Sequence, residues 1–383
     1  MKKDRIFVLS GIVLAFLFLH QGCNNSDEET DLINYSELDE IATEVLLEIG
    51  HRDGDPIFGA LIGLVVFEDG SMVVGDRGTR RIEQFSEDGS YVGAVANQGD
   101  GPGELSPLFE LVLGGEESLI VHHFGMENRV DYFVTDPDGD GFLYEDTVIQ
   151  EAVMDHRNLM LGALSSDRYL VRVTEILRLS ELDQVADRGV SESVLAVVDH
   201  HQTLVRDSIS TLKSPLAIFN ASGRGVSIIG IPPYQDHDRV KVLRGGRYLI
   251  AKPDSSELTF YNDQSEMDHQ ITLKVAERGV TEEEIREFLS DHDREHHQKF
   301  RSRIPEVKPP FLDVWASDRH ILLKTDEVGE EQEFVLLNRE GDPLGRFHLS
   351  TFDDIRWIEG DRIYSLHQHP EEGHSIRVYG LNL

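Results

Sequence analysis

The sequence predicts an all-β protein, a six-bladed β-propeller that is closed by an N-terminal strand. Two observations carry this prediction. Residues 64–105 contain four short apolar runs separated by Asp-Gly and Asp-Arg-Gly-Thr turns, the pattern of one four-stranded antiparallel sheet. The pattern returns along the chain at about 50 residues per repeat, within the range of propeller blades. Because one such sheet cannot bury its own faces, the repeats must pack against each other.

The first five blades can be followed in order along the chain. Their predicted strands are Val65–Phe67, Met72–Val74, Ile82–Phe85 and Tyr91–Ala96; Phe109–Leu113, Ser118–His123, Arg129–Val134 and Phe142–Ile149; Leu159–Leu164, Tyr169–Thr174, Val194–Asp199 and Leu204–Ser210; Asp238–Leu243, Arg247–Ala251, Leu258–Tyr261 and His269–Lys274; Phe311–Trp315, His320–Leu323, Glu333–Leu337 and Leu344–His348. Each set alternates apolar runs with turn residues, as antiparallel strands do.

The sixth blade has only three predicted strands, and the chain ends there. They are Asp354–Ile358, Arg362–Leu366 and Ser375–Tyr379. The segment Ala42–Ile49 near the N-terminus has a strand-like sequence and supplies the fourth. Pairing of the two chain ends would remove the exposed strand edges that an open ring leaves. The propeller is therefore predicted to span residues 41–383.

One segment departs from the strand pattern, between blades four and five. Thr281 is followed three residues later by Glu284, which is the capping-box signature of a helix N-terminus. The helical pattern reaches about Phe300. We therefore predict a short helical insertion at about residues 281–303.

Composition limits the class of partner. The chain carries 36 Lys and Arg against 71 Asp and Glu, a formal net charge of -35. Such a surface repels nucleic acid and anionic lipid headgroups. The prediction is a protein without a nucleic-acid partner, and the simplest role of the charge is solubility.

The N-terminus has the features of an export signal. Lys2, Lys3 and Arg5 precede an apolar core, Ile6–Leu19, which is short for a membrane span. Cys23 is the single cysteine of the chain. The arrangement resembles the acylated cysteine of bacterial lipoproteins, and the acidic residues just after it resemble the surface-export tag of Bacteroidetes-type lipoproteins.

This resemblance implies a signal peptide at residues 1–22 and lipidation of Cys23. A polar, acidic linker would follow at residues 23–40. The protein would then be exported and anchored in the outer membrane by its lipid, either at the cell surface or facing the periplasm. The lipid would be its only membrane contact.

Two motifs connect the blades to a known group. The run Asp76-Arg77-Gly78-Thr79-Arg80-Arg81-Ile82 with Asp88-Gly89 resembles an NHL-type repeat. The run Gln98-Gly99-Asp100-Gly101-Pro102-Gly103-Glu104-Leu105 is similar to the inter-blade segment of six-bladed, TolB-like propeller lipoproteins. The resemblance implies a fold and a cellular location, because most members of that group have no assigned activity.

Asp136, Asp138 and Asp140 alternate in a Gly-containing turn, like the first half of an EF-hand calcium loop. The twelfth position of that loop, ordinarily Glu, is Thr147. A hairpin turn is also not the helix–loop–helix context of an EF-hand. The alternatives are a Ca²⁺ site and an ordinary acidic turn, since Asp and Gly are common turn residues.

His292 and His296 frame an H-x-x-E-H pattern with Glu295. On one helix the two histidines would share a face and could bind Zn²⁺. The surrounding sequence is charged on all sides and offers no third ligand, so a solvated helix face is the simpler interpretation.

No nucleophile elbow or cysteine nucleophile is evident, and no catalytic residue is predicted. The leading hypothesis is a monomeric, lipid-anchored envelope protein that binds a protein or a small ligand, without catalysis and without a cofactor. The alternative is a metal-dependent hydrolase or lyase, with Ca²⁺ or another ion at one mouth of the central channel. The identity of the ligand or partner does not follow from the sequence.

Overall fold

The computed structural model describes residues 32–52, 54–115, 118–124, 129–139, 141–149, 157–174, 190–215, 217–222 and 225–383. Within them, six four-stranded antiparallel sheets form the blades of a propeller. The predicted fold class is confirmed. None of the helices in these ranges is long and apolar enough to cross a membrane.

The strands follow each other in chain order within five of the blades. Blade one contains β2 (Leu61–Val66), β3 (Met72–Asp76), β4 (Arg81–Phe85) and β5 (Tyr91–Asn97); blade two β6 (Phe109–Leu113), β7 (Ser118–His123), β8 (Arg129–Thr135) and β9 (Phe142–Ile149); blade three β10 (Arg157–Ser165), β11 (Arg168–Thr174), β12 (Val190–Asp199) and β13 (Leu204–Pro215); blade four β16 (Arg239–Val242), β17 (Tyr248–Lys252), β18 (Glu257–Tyr261) and β19 (Met267–Thr272); blade five β22 (Asp313–Ala316), β23 (His320–Val328), β24 (Glu331–Asn338) and β25 (Pro343–Ser350).

Blade six joins the two ends of the chain. It contains β26 (Asp353–Glu359), β27 (Arg362–His369) and β28 (Gly373–Asn382), and its fourth strand is β1 (Ala42–Ile49). β1 pairs antiparallel with β28 from Ala42 opposite Asn382 to Ile49 opposite Ile376. The predicted closing strand is therefore confirmed.

The core is divided among the interfaces between blades. Six clusters of buried apolar side chains occur in the described residues, one between each pair of neighbouring blades. The cluster between blades six and one contains Ile49 of β1, Phe85 of blade one and Leu366 of blade six. The ring is thus continuous, and burial at each interface depends on the blade beside it.

The N-terminal segment before β1 also packs on the propeller. Ile33 forms a bridge with Val275 at the end of blade four, and Tyr35 is buried in the cluster between blades four and five. The Asn34 side chain accepts from the backbone of Ser36 and caps a short 3-10 helix. Residues 33–40, placed in the linker by the sequence analysis, therefore contact the blades.

The helical insertion lies where it was predicted, but it is not one continuous helix. α1 (Glu282–Ser290) begins at the predicted capping box, since Thr281 Oγ1 accepts from the backbone of Glu284. The chain leaves the helix after Ser290, and α2 (His297–Arg301) follows a short 3-10 turn. The paired strands β20 (Arg278–Gly279) and β21 (Val307–Lys308) frame the insertion.

A two-stranded hairpin between blades three and four was not predicted. It consists of β14 (Ile218–Ser222) and β15 (Gly225–Gly230). The hairpin adds no strand to a blade, so it leaves the blade count unchanged.

Candidate functional site

The first strands of all six blades surround a central channel. Together they enclose a cavity of about 210 Å³. Most of the lining residues have apolar side chains, the exposed surface is about half polar, and every blade contributes. The lining residues are Ile62–Val65, Glu110–Leu113, Leu161, Val240–Leu243, Trp315, Ala316 and Arg356–Ile358. An apolar cavity with few polar groups is the usual form of a small-molecule site.

Both tryptophans of the chain line this channel. Trp315 is buried, and the Lys241 ammonium lies 4.5 Å from the centre of its ring. The Arg244 guanidinium lies 5.3 Å from the centre of the Trp357 ring, and the Trp357 indole donates a hydrogen bond of 3.2 Å to Glu359. Cations at these distances are attracted by the aromatic quadrupole. Tryptophan emission therefore reports on the channel alone.

Three ionisable side chains stand in the apolar wall, and they differ in how they are neutralised. Lys241 Nζ lies 3.2 Å from Asp313, and Arg356 forms an ion pair with Asp354. The carboxylate of Glu110 accepts no hydrogen bond and forms no ion pair within 4 Å among the described residues. Glu110 is therefore the wall's unpaired ionisable group.

Burial and pairing act in opposite directions on two carboxyl groups, that of Glu110 in the channel wall and that of Asp313, which pairs with Lys241 of that wall. Burial raises the pKa of Glu110, although Arg356 and Arg77 at longer range partly oppose the shift. Burial would also raise the pKa of Asp313, but Lys241 and Arg239 outweigh it and hold the pKa below its ordinary value. Asp313 thus stays ionised, whereas Glu110 takes up a proton more readily. A perturbed carboxyl in a cavity marks a candidate site.

We expect Glu110→Gln to raise the stability of the protein near neutral pH. Folding raises the pKa of Glu110 above its ordinary value of 4.5. The stability that its protonated form contributes is therefore present below pH 4.5 and is lost as the pH rises through the pKa of the folded state. Urea unfolding should show a gain for Glu110→Gln at about pH 7 and no gain at about pH 4. Glu44→Gln on the exposed side of β1 is the control. An equal gain at both pH values would contradict the assignment.

A second cluster of polar side chains lies in blade two, where β6 begins and β7 ends. Ser106 Oγ lies 3.0 Å from His123 Nδ1, and His123 Nε2 lies 2.9 Å from Asp131 Oδ2. Asp131 also receives a hydrogen bond of 2.5 Å from Thr147 and lies 3.1 Å from the Arg129 guanidinium. His123 and Asp131 are buried, while Ser106 is half-buried.

The sequence analysis missed this cluster, although the repeat contains a signal for it. His123 is paired with Phe109 at the start of β6, as Asp76 is paired with Leu61 at the start of β2. His367 holds the same place in blade six, opposite Asp353. Aligning the blades by register therefore places two histidines, His123 and His367, at the position that Asp76 holds in blade one.

Asp76 performs a structural task at its position. Its carboxylate accepts hydrogen bonds from the backbone of Gly59 and Ala60 in the incoming segment and from Gly78 and Thr79 in its own turn. Burial would raise the pKa of Asp76, but these hydrogen bonds lower it. The carboxylate thus joins the N-terminal side of blade one to the end of β3.

The residues predicted for calcium lie at a hairpin turn. Asp136 accepts from the backbone of Asp138 at 3.0 Å and donates its own N–H to Gly141, which are contacts within a turn. Asp140 lies outside the described residues. In the described ranges, no group of three or more His, Cys, Asp or Glu is arranged to hold a metal ion.

The two histidines predicted for zinc do not share a helix. His292 follows the end of α1, its Nδ1 bonds the carbonyl of Phe288, and its ring packs 4.4 Å from Phe300. His296 ends the 3-10 turn, where its Nε2 lies 3.3 Å from Glu295. Cys23, the predicted lipidation site, lies outside the described residues.

Comparisons with known proteins identify the class of fold. No family model matches the sequence, and no curated protein matches it. Among solved structures, a protein of Bacteroides fragilis that is predicted to be exported is similar over 92% of this chain and 97% of its own, with 11% identity and a TM-score of 0.51. At this identity the match shows a shared propeller fold.

Other solved structures align over similar lengths. A member of the duf4221 family from Bacteroides vulgatus matches 90% of this chain and 99% of its own, with 10% identity and a TM-score of 0.49. Virginiamycin B lyase from Staphylococcus aureus matches 90% of this chain and all of its own, with 9% identity and a TM-score of 0.43.

Proposed function

We propose that this protein is a small-molecule-binding propeller whose ligand occupies the central channel, with no catalysis in the channel. One observation carries the proposal. First strands from all six blades surround one cavity that is lined by both tryptophans and by the unpaired carboxyl of Glu110. Groups that converge from separate blades on one enclosed space are the features expected of a ligand site.

The alternative, a metal-dependent hydrolase or lyase at the channel, has no observation in its favour. Such an enzyme needs several carboxylate, Asn or His ligands around one point. The lining of the cavity contains one carboxylate, Glu110, and no histidine. The calcium site at Asp136, Asp138 and Asp140 and the zinc site at His292 and His296 stay predictions.

The cellular setting belongs to the same proposal. The signal-like N-terminus, Cys23 and the NHL-type and TolB-like motifs support a lipid-anchored envelope protein of the Bacteroidetes-type group. The negative surface supports a soluble monomer that contacts the membrane through its lipid alone. Incorporation of labelled palmitate that disappears in Cys23→Ala would support the anchor.

Binding in the channel can be tested by tryptophan fluorescence. The probes are benzoate, benzamide and benzamidine, which share an apolar ring and differ in charge. We expect a saturable change in emission with at least one probe. The same change should persist in Ile57→Phe and be lost in Ile62→Phe, because Ile62 lines the cavity whereas Ile57 is 88% exposed.

Two results would contradict the channel as the binding site. One is an emission change of equal size in the parent and in both variants, since the added ring at Ile62 must compete with a channel ligand. The other is the absence of any saturable change with all three probes while the protein remains folded.

A further inference from the structure

The geometry points to Ser106 as a reactive serine, with His123 as its base and Asp131 as the residue that positions the base. The site would accept small acyl donors such as aryl esters. It lies in blade two, it uses none of the residues that line the channel, and it does not depend on the proposed binding function.

The three side chains form one line of hydrogen bonds. Ser106 Oγ is 3.0 Å from His123 Nδ1, and His123 Nε2 is 2.9 Å from Asp131 Oδ2. A nucleophile in contact with a base that is itself oriented by a third group is the general arrangement of activated serines. In the best-known Ser-His-Asp triads Nε2 faces the serine and Nδ1 faces the carboxylate. In this cluster the two nitrogens are exchanged, and each still contacts its partner.

The surroundings of Asp131 determine which ring nitrogen carries the proton. A carboxylate in its ionised form only accepts hydrogen bonds, so the 2.9 Å contact with Asp131 assigns the imidazole proton to His123 Nε2. The Arg129 guanidinium is also 3.4 Å from Nε2, a longer contact than the one to Asp131. Arg129 at 3.1 Å and Thr147 at 2.5 Å hold the carboxylate in place. In the neutral imidazole, Nδ1 is then an acceptor. The Ser106 hydroxyl also lies 3.1 Å from the carbonyl of Leu108, so its proton must turn from that carbonyl to Nδ1 before it can be transferred.

Ser106 is less buried than its two partners. His123 is 2% exposed and Asp131 is fully buried, so water cannot easily compete for their hydrogen bond. Ser106 is half-buried, beside the exposed Leu108. The backbone N–H of Ser106 donates to no acceptor among the described residues, so it can stabilise a developing oxyanion.

Two other blades show what the equivalent position does when no serine contacts it. In blade one the equivalent residue, Asp76, accepts from backbone amides of the incoming segment. In blade six the equivalent histidine, His367, contacts Asp353 at 3.0 Å. Of the three equivalent positions, the described contacts place a serine hydroxyl against an imidazole in blade two alone.

The reaction with an aryl ester balances without a cofactor. Ser106 Oγ forms a bond to the acyl carbon, the bond from that carbon to the aryl oxygen breaks, and the proton of Oγ passes to His123 Nδ1 and on to the departing aryloxide. Water then cleaves the acyl-serine by the same route, which releases the carboxylic acid and restores the hydroxyl. General-base assistance of this kind contributes about 10²- to 10⁴-fold.

The test is covalent labelling with a fluorophosphonate, which loses fluoride as a serine oxygen bonds to phosphorus. We expect the full chain to be labelled, peptide mapping to place the label on Ser106, and Ser106→Ala to lose it. Ser86→Ala is the matched control, because Ser86 is a turn serine whose hydroxyl bonds Asp88 at 2.7 Å. It should be labelled like the parent.

The Asp131→Asn variant tests whether Asp131 positions the base or only stabilises the fold. The amide of the new residue can donate to Nε2, which places the imidazole proton on Nδ1. A protonated Nδ1 cannot accept the proton of the Ser106 hydroxyl. Labelling should slow by about 10²-fold or more while thermal unfolding still shows a folded protein. Hydrolysis of p-nitrophenyl acetate should fall in parallel.

Two results would overturn the proposal. One is that the folded parent protein is labelled no faster than Ser106→Ala, while Ser106→Ala is less stable than the parent. That result would mean that Ser106 makes a structural contact only. The other is a labelling rate that is unchanged in folded Asp131→Asn.

Discussion

A chain that lacks residues 1–50 is expected not to form a cooperatively folded propeller. These residues include β1 (Ala42–Ile49), which covers the edge of β28 and completes blade six. Without β1, the backbone of β28 is exposed and Ile49 is missing from the core between blades six and one. An exposed strand edge also promotes association of chains. Circular dichroism during heating and size-exclusion chromatography would measure both effects.

The matched control is a chain that begins at residue 32. It retains β1, and it also retains Ile33 and Tyr35, which pack on blades four and five. It should unfold in one transition, like the full chain measured beside it. A monomeric, cooperatively folded chain beginning at residue 51 would show that closure of the ring by β1 is not required.

Asp76→Ala is expected to lower the free energy of unfolding by about 3 kcal/mol or more, a large effect for one substitution. The carboxylate is 1% exposed and accepts from Gly59 at 2.7 Å, from Ala60 at 2.8 Å and from the hydroxyl of Thr79 at 2.9 Å. Its removal leaves several buried donors without an acceptor. Chemical denaturation near neutral pH measures the loss.

The control is Asp69→Ala, which removes an exposed turn carboxylate that accepts one hydrogen bond of 2.9 Å from the backbone of Ser71. Its loss should cost little. The pKa of Asp76 is lower in the folded state than in the unfolded chain. The stability that its charge provides is therefore present above the pKa of the unfolded chain and is lost as the pH falls through the pKa of the folded state. The difference between parent and Asp76→Ala should therefore shrink in acid. Equal losses for both variants would refute the structural role.

The two candidate sites differ in how far each could be foreseen. The channel follows from the propeller fold, but its chemistry depends on which side chains of six separate strands meet. Glu110, Lys241 and Arg356 belong to blades two, four and six and are far apart in sequence. The arrangement of these three side chains around the channel depends on how the six blades pack, which the pattern of apolar residues along one strand does not describe.

The local elements were largely foreseeable because their causes are local. The capping box at Thr281 satisfies backbone groups within one turn, and it starts α1 as predicted. The end of α1 at Ser290 was not foreseeable in the same way. There His292 turns back onto Phe288 and packs against Phe300 of α2, a contact between two helices.

The sequence by itself determined the number of blades, the closing strand and the insertion, because turn residues and apolar alternation act over a few neighbouring residues. Only the tertiary structure decided which polar groups share a site. Ser106, His123 and Asp131 come from a loop and two strands, and hydrogen bonds of about 3 Å join them once blade two has formed. Such contacts depend on distances across strands, which the order of residues along the chain does not specify.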